Sequence, residues 1–156
     1  MVQTFLPYVC IRTSLQVLDS RRLQKQSVEA FQIYLILTSS NAKGGFKNHP
    51  VVKMWRDNLP ALRLYICEAV YQTSLRLTKK GIPYKTTKMT ENITKYNIAL
   101  SDEELKNFKY PDWWGRVDVH GSHQAMLYRK GEKGKLDNYK SFAVAAPYFD
   151  NYVWPC

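Results

Sequence analysis

Apolar residues recur at helical spacing over two long stretches of the chain, and no segment alternates cleanly enough to predict a strand. Asp19 is placed to cap a helix over Ser20–Thr38, with Val28, Phe31 and Leu35 at i, i+3 and i+7 as its apolar face. Its end, Ile33-Tyr34-Leu35-Ile36-Leu37, predicts burial there. A second long helix is expected over 61–80, with Pro60 near its start and Leu62, Tyr65, Ile66, Ala69, Val70 and Thr73 as its buried stripe. Arg76, Lys79 and Lys80 suit its C-terminus, and Gly81 ends it. Shorter helices are predicted at 50–56, where Pro50 opens the first turn, at 101–108, where Ser101-Asp102-Glu103-Glu104 is a capping box, and at 122–130.

The remaining segments read as irregular. Residues 1–13 form an extended arm, 39–45 a loop with two glycines, 82–100 a loop, and 111–115 a turn. From Gly131 the chain is loop-rich and aromatic. The expected class is mainly α: one compact domain over residues 1–156, with about three to five helices and a loop-rich aromatic C-terminal segment. At 156 residues a single core needs no staples.

Charge adds a partner to this picture. The net charge is +10, and it is unevenly spread. Residues 1–50 hold 6 basic and 2 acidic groups, residues 51–100 hold 9 and 3, and residues 101–156 hold 8 of each. A basic field in the first two-thirds favours a polyanion, such as nucleic acid or an anionic membrane, over neutral ligands. No apolar run is long enough for a transmembrane helix, and Met1–Pro7 lacks the basic and apolar regions of a signal peptide. Cys10, Cys67 and Cys156 have no metal-type spacing and suggest a reduced, cytoplasmic protein. Walker A, dinucleotide-fingerprint and nucleophile-elbow motifs are missing, so nucleotide cofactors and serine hydrolysis have no support.

Three segments carry candidate chemistry. Leu18 to Glu29 places Arg22, Lys25, Gln26 and Glu29 on one helical face. The spacing fits either a lone acid inside a phosphate-attracting surface or an ordinary solvated Lys–Glu pair. Asn48-His49-Pro50 with Lys53, Met54 and Trp55 is the second segment, with Trp55 equally fit for the core. His120-Gly121-Ser122-His123 with Arg129-Lys130 is the third. Two histidines three apart can hold a metal, but no cysteine or carboxylate lies nearby, so polar contacts to phosphate or base are the better reading. Trp113-Trp114 and the tail from Tyr148 to Trp154 provide aromatics either for stacking bases or for closing the core.

These segments together resemble the pyrimidine-dimer DNA glycosylase family, typified by a small phage endonuclease. The resemblance is strongest to a bacterial branch of short proteins. It rests on Gln3-Thr4-Phe5-Leu6-Pro7-Tyr8, on the Leu18–Glu29 pattern, on Asn48-His49-Pro50 with Met54-Trp55, on His120-x-Ser122-His123 with Arg129-Lys130, and on Tyr152-Val153-Trp154-Pro155. It implies a mostly helical glycosylase with AP-lyase activity and no cofactor. The free N-terminal amine would attack the sugar C1′, and Glu29 matches the assisting glutamate. The partner would be double-stranded DNA with a damaged or modified pyrimidine, bound by a monomer inside a cell, whether nucleoid-associated or virus-encoded. Arg21, Arg22, Gln26, Lys53, Arg129 and Lys130 would contact DNA, with His49, His120, Ser122 and His123 around the site. In the phage enzyme an arginine stands where this chain has Val28, and another where it has Gln32.

Proton affinity independently favours the chain terminus as nucleophile. At pH 7 an α-amine is roughly one-tenth unprotonated, whereas a lysine is free only about one part in 2,500. The terminus is Val2 if Met1 is removed and Met1 otherwise, with Lys25 as a third candidate. Two other readings stay open: a non-catalytic DNA-binding protein of the same fold, and a different enzyme acting on modified DNA bases.

Overall fold

The computed structural model describes residues 3–39, 47–81 and 88–155. Among them are seven α-helices and no strand. The helices are α1 (Ile11–Gln16), α2 (Ser20–Thr38), α3 (Pro50–Trp55), α4 (Leu59–Lys79), α5 (Lys88–Lys95), α6 (Asp102–Lys106) and α7 (Val117–Gly134). Two 3-10 turns follow, Lys140–Val144 and Ala146–Tyr148. The class is therefore mainly α, as the hydrophobic spacing predicts. Within the described residues no helix is long and apolar enough to cross a membrane. Cys10 and Cys67 are free thiols. Cys156, most of the 39–45 loop and residues 82–87 lie outside the described residues.

The longest helices, α2 and α4, pack against each other, and α1 lies against α4. One apolar cluster runs from Phe5 and Leu6 through Leu23, Trp55, Leu62, Tyr65 and Leu127 to Phe142. The α4 stripe is buried as expected, and Gly81 terminates the helix at φ 69°, a left-handed conformation that glycine adopts without a Cβ penalty. Asp19 caps α2 by accepting the Arg22 N–H at 3.3 Å. The Ser101 capping box is present, though α6 stops at Lys106.

The inner face of α2 corrects one expectation. Leu23, Gln26, Ser27, Ala30, Phe31 and Ile33 are buried, whereas Val28 is 43% exposed. Each residue turns the helix by about 100°, so burying Gln26, Ser27 and Ala30 rotates Val28 outward. Hydropathy missed this because the interior stripe contains two polar residues.

Two helices appear where the pattern predicts none. α1 is a six-residue helix that ends the arm at Cys10, with Ile11, Ser14 and Leu15 buried; local propensity alone does not hold so short a segment. α5 has a threonine- and asparagine-rich sequence of low helix propensity. Met89 and Ile93, one turn apart, pack it on the core. α7 is also longer than the expected 122–130. Its internal glycines weaken the helical signal, yet packing requires them: a Cβ at Gly121 would lie 2.8 Å from the Phe149 ring, and one at Gly131 would lie 3.0 Å from Tyr139.

Candidate active site

The extended arm is drawn through the interior, not laid over the surface. Gln3, Thr4, Phe5, Leu6 and Pro7 are all buried. Buried peptide groups need partners, and side chains from four helices provide them. From α2, Gln26 donates to the Gln3 carbonyl at 3.2 Å and accepts the Phe5 N–H at 2.9 Å. From α3, Trp55 donates its indole N–H to Thr4 Oγ1 at 3.0 Å. From α4, the Tyr65 hydroxyl donates to the Phe5 carbonyl at 2.9 Å. From α7, His123 Nδ1 accepts the Leu6 N–H at 2.8 Å, His120 Nδ1 lies 2.8 Å from the Leu6 carbonyl, and Gln124 donates to the Pro7 carbonyl at 2.7 Å.

This path carries the start of the described chain to Glu29. The Gln3 N–H donates to Glu29 Oε2 at 3.4 Å. Glu29 lies in a cleft of about 350 Å³ lined by Gln3, Phe5, Arg21, Arg22, Lys25, Gln26, Lys130 and Tyr152. Four cations thus surround one half-buried carboxylate. Burial raises the proton affinity of Glu29 above the usual carboxylate value, against the opposing pull of the Gln3 N–H, Lys25 and Lys130. Burial also lowers the affinity of Lys130, assisted by repulsion from Arg22. Such a cleft attracts phosphate and holds a carboxyl group suited to proton transfer closer to neutral pH than a solvated glutamate.

Arg21, Arg22, Lys25, Gln26 and Lys130 therefore join Glu29 as the sequence suggests, with one difference. Gln26 is 1% exposed and faces the arm, so it offers DNA no surface. Met1 and Val2 lie outside the described residues. His49 caps α3 by accepting the Val51 N–H. It packs on Trp154, with ring centres 5.9 Å apart, and Trp154 packs on the cleft residue Tyr152 at 5.4 Å.

The other expected DNA contacts point elsewhere. Lys53 opens onto a separate, larger cleft that also contains Asp57, Glu103 and Asp112 and does not line the Glu29 cleft. His120 and His123 are buried with their ring nitrogens turned to the arm and to the Gly115 N–H. Burial holds His123 neutral, with its pKa lowered to about 3. Ser122 is wholly buried, donating to the Val119 carbonyl and accepting the Val153 N–H. Arg129 donates to the Ala146 carbonyl at 2.9 Å and lies 3.8 Å from Asp150. His120, Ser122, His123 and Arg129 brace the arm and the C-terminal segment through these bonds, with His123 Nε2 buried without a hydrogen-bond partner.

Tyr65, Tyr152, Gln3 and Phe5 are the residues that sequence reasoning did not assign to the site. Tyr65 looked like one more apolar position of α4, and Tyr152 like core closure. Gln3 and Phe5 had a signal only in the arm's resemblance to known proteins.

The sequence model described as pyrimidine dimer DNA glycosylase matches residues 2–92. The chain belongs to the pyrimidine dimer DNA glycosylase family. The family match spans the arm, Glu29 and the α2–α4 pair, whereas Lys130 and Tyr152 complete the cleft from beyond it. No curated protein matches the chain significantly, and no solved structure does.

Proposed function

We propose that this protein is a DNA glycosylase with AP-lyase activity that acts on a damaged or modified pyrimidine in duplex DNA. Its N-terminal amine is the nucleophile, and Glu29 assists. The observation that carries this reading is the Gln3 N–H on the Glu29 carboxylate inside a cationic cleft. Two residues precede Gln3, and two residues span at most about 7 Å. An amine on Met1 or on Val2 would thus have the reach to meet Glu29. Lys25 is solvent-exposed on the rim.

The amine lone pair attacks C1′, and the base leaves with the glycosidic electron pair and takes up a proton. The attached nitrogen loses a proton, its lone pair forms the C=N bond as the C1′–O4′ bond breaks, and O4′ keeps that electron pair and takes up a proton, leaving a protonated imine between the chain and the opened sugar. Removal of a C2′ proton then breaks the C3′–O bond, and the 3′ phosphate leaves with that electron pair. Glu29, as carboxylate, stabilises the cationic sugar and accepts protons. Arg21, Arg22, Lys25 and Lys130 hold phosphates, and the target nucleotide leaves the stack to reach the cleft. The resemblance of the His49 segment and of the terminal Tyr152–Pro155 block supports a reading of the protein as one of the short bacterial branch of the family.

Incubation with duplexes bearing an abasic site or a pyrimidine dimer, in the presence of borohydride, tests the reading. A covalent adduct is expected, and it is lost when the α-amine is acetylated. No adduct with either duplex sinks the imine route. Base release without an adduct points to hydrolysis by water instead.

A further inference from the structure

We infer that Gln26 is the positioning residue of this site, its carboxamide splinting the N-terminal arm to Glu29 and so setting where the chain start lies relative to the carboxylate. The inference rests on the amine–glutamate reading. Gln26 is 1% exposed on a helix face where an apolar side chain would pack as well. A buried carboxamide is costly unless its donors and acceptors are satisfied, and Gln26 is engaged at both ends. Oε1 accepts the Phe5 N–H at 2.9 Å and lies 2.5 Å from the Tyr65 hydroxyl. Nε2 donates to the Gln3 carbonyl at 3.2 Å and lies 3.5 Å from Glu29 Oε2.

The pattern has a specific geometry. The Gln3 carbonyl and the Phe5 N–H flank Thr4 on one edge of an extended segment. A neighbouring parallel strand would bond that same pair with the N–H and C=O of one residue. Gln26 takes the place of that strand residue, and does so from the helix that carries Glu29, one turn away. The arm is thereby registered against the helix that carries the carboxylate. Tyr65, wholly buried on α4, steadies the acceptor end of the carboxamide and reaches the Phe5 carbonyl as well. A consequence follows at Glu29. The splint turns the Gln3 N–H onto its carboxylate, and loss of that donor raises the carboxyl proton affinity further. The other groups facing Glu29 are Arg21, Arg22 and Lys25 on α2, Lys130 on α7 and Tyr152 on the C-terminal segment; substitution of Gln26 leaves them all in place.

The test measures three quantities with Gln26→Met and Tyr65→Phe: the single-turnover rate of borohydride-trapped adduct on an abasic duplex at saturating protein, the Kd for that duplex, and the pH dependence of the trapping rate. A misplacement of about 1 Å costs on the order of 100-fold in rate. Gln26→Met is expected to slow trapping by about that factor, to leave Kd within about threefold, and to move the acid limb of the profile to higher pH. Tyr65→Phe, which frees the acceptor end of the carboxamide and the Phe5 carbonyl but leaves the Gln3 contact in place, moves rate and limb in the same directions by a smaller factor. It decides the matter alone if Gln26→Met does not fold. Trapping within about threefold of wild type in the folded variants, an unmoved acid limb, or a rate loss matched by lost DNA affinity overturns the inference. A wild-type chain that forms no adduct overturns the amine reading itself, and this inference with it.

Discussion

The N-terminal arm and the C-terminal segment both lack regular structure over most of their length, and both contribute residues to the Glu29 cleft, yet different forces hold them. Peptide groups along the arm are bonded to side chains from Gln3 to the Val9 carbonyl, which accepts the Trp114 indole N–H at 2.9 Å. The C-terminal segment is held mainly by rings. Tyr152 packs edge-on to His123 at 5.5 Å and against Trp154, and Phe149 fills the space that Gly121 leaves. Directional bonds fix a backbone to within tenths of an ångström, whereas ring packing fixes a surface and tolerates small slides. The arm is thus built to locate an atom, and the C-terminal segment to cover a cleft.

Four experiments break or sharpen this contrast, from the largest expected effect to the smallest. Glu29→Gln removes the carboxylate that the arm addresses. Adduct formation on an abasic duplex should fall by roughly 100- to 10,000-fold while duplex affinity is retained; an unchanged trapping rate would show that the arm does not deliver an amine to this carboxylate. His120→Leu leaves the Leu6 carbonyl and the Gly115 N–H without their ring partner. The Leu6 carbonyl is buried and Gly115 is exposed, so at about 1–3 kcal/mol for an orphaned buried group urea unfolding should register a loss of roughly 1–3 kcal/mol.

The third experiment concerns pH. His123 has its folded pKa lowered to about 3 from an ordinary 6.5, so protonation favours the unfolded chain. Its contribution to stability is complete above pH 6.5 and is lost as the pH falls from there toward 3. At pH 5 the loss from this group is roughly 2 kcal/mol. His123→Asn keeps an acceptor for the Leu6 N–H and does not titrate, so urea midpoints between pH 7 and pH 5 should fall less steeply than in wild type. Parallel curves would mean that His123 is charged in the fold. The smallest effect belongs to the C-terminal segment. The Tyr152 hydroxyl is buried without a hydrogen-bond partner, so Tyr152→Phe should change stability by no more than about 0.5 kcal/mol. A larger loss would mean that a bond, and not ring packing, anchors this end.

Much of this molecule was legible from short-range pattern. Helical spacing located α2 and α4 to within two residues at either end, and the capping residues Asp19 and Ser101 marked true starts. The same local geometry put Arg22, Lys25 and Glu29 on one side of α2, because positions three, four and seven apart share a helix face regardless of the rest of the fold. Partners distant in sequence were beyond such reasoning. Polar type suggested a surface role for Gln26, His120, Ser122 and His123, but all four are interior, because an extended arm runs past them and its peptide groups must be bonded. The Leu6–His123 bond joins residues 117 positions apart, and no spacing rule reaches that far.

The sequence by itself therefore determined the two long helices α2 and α4, the basic excess and the helix face bearing Glu29, since these depend on neighbours within a few turns. Only the tertiary structure decided which polar residues turn inward, that Lys130 joins the cleft while Lys53 opens onto another, and that Gln3 of the arm meets Glu29. Those outcomes depend on which distant backbone groups must be satisfied once the core has closed around them.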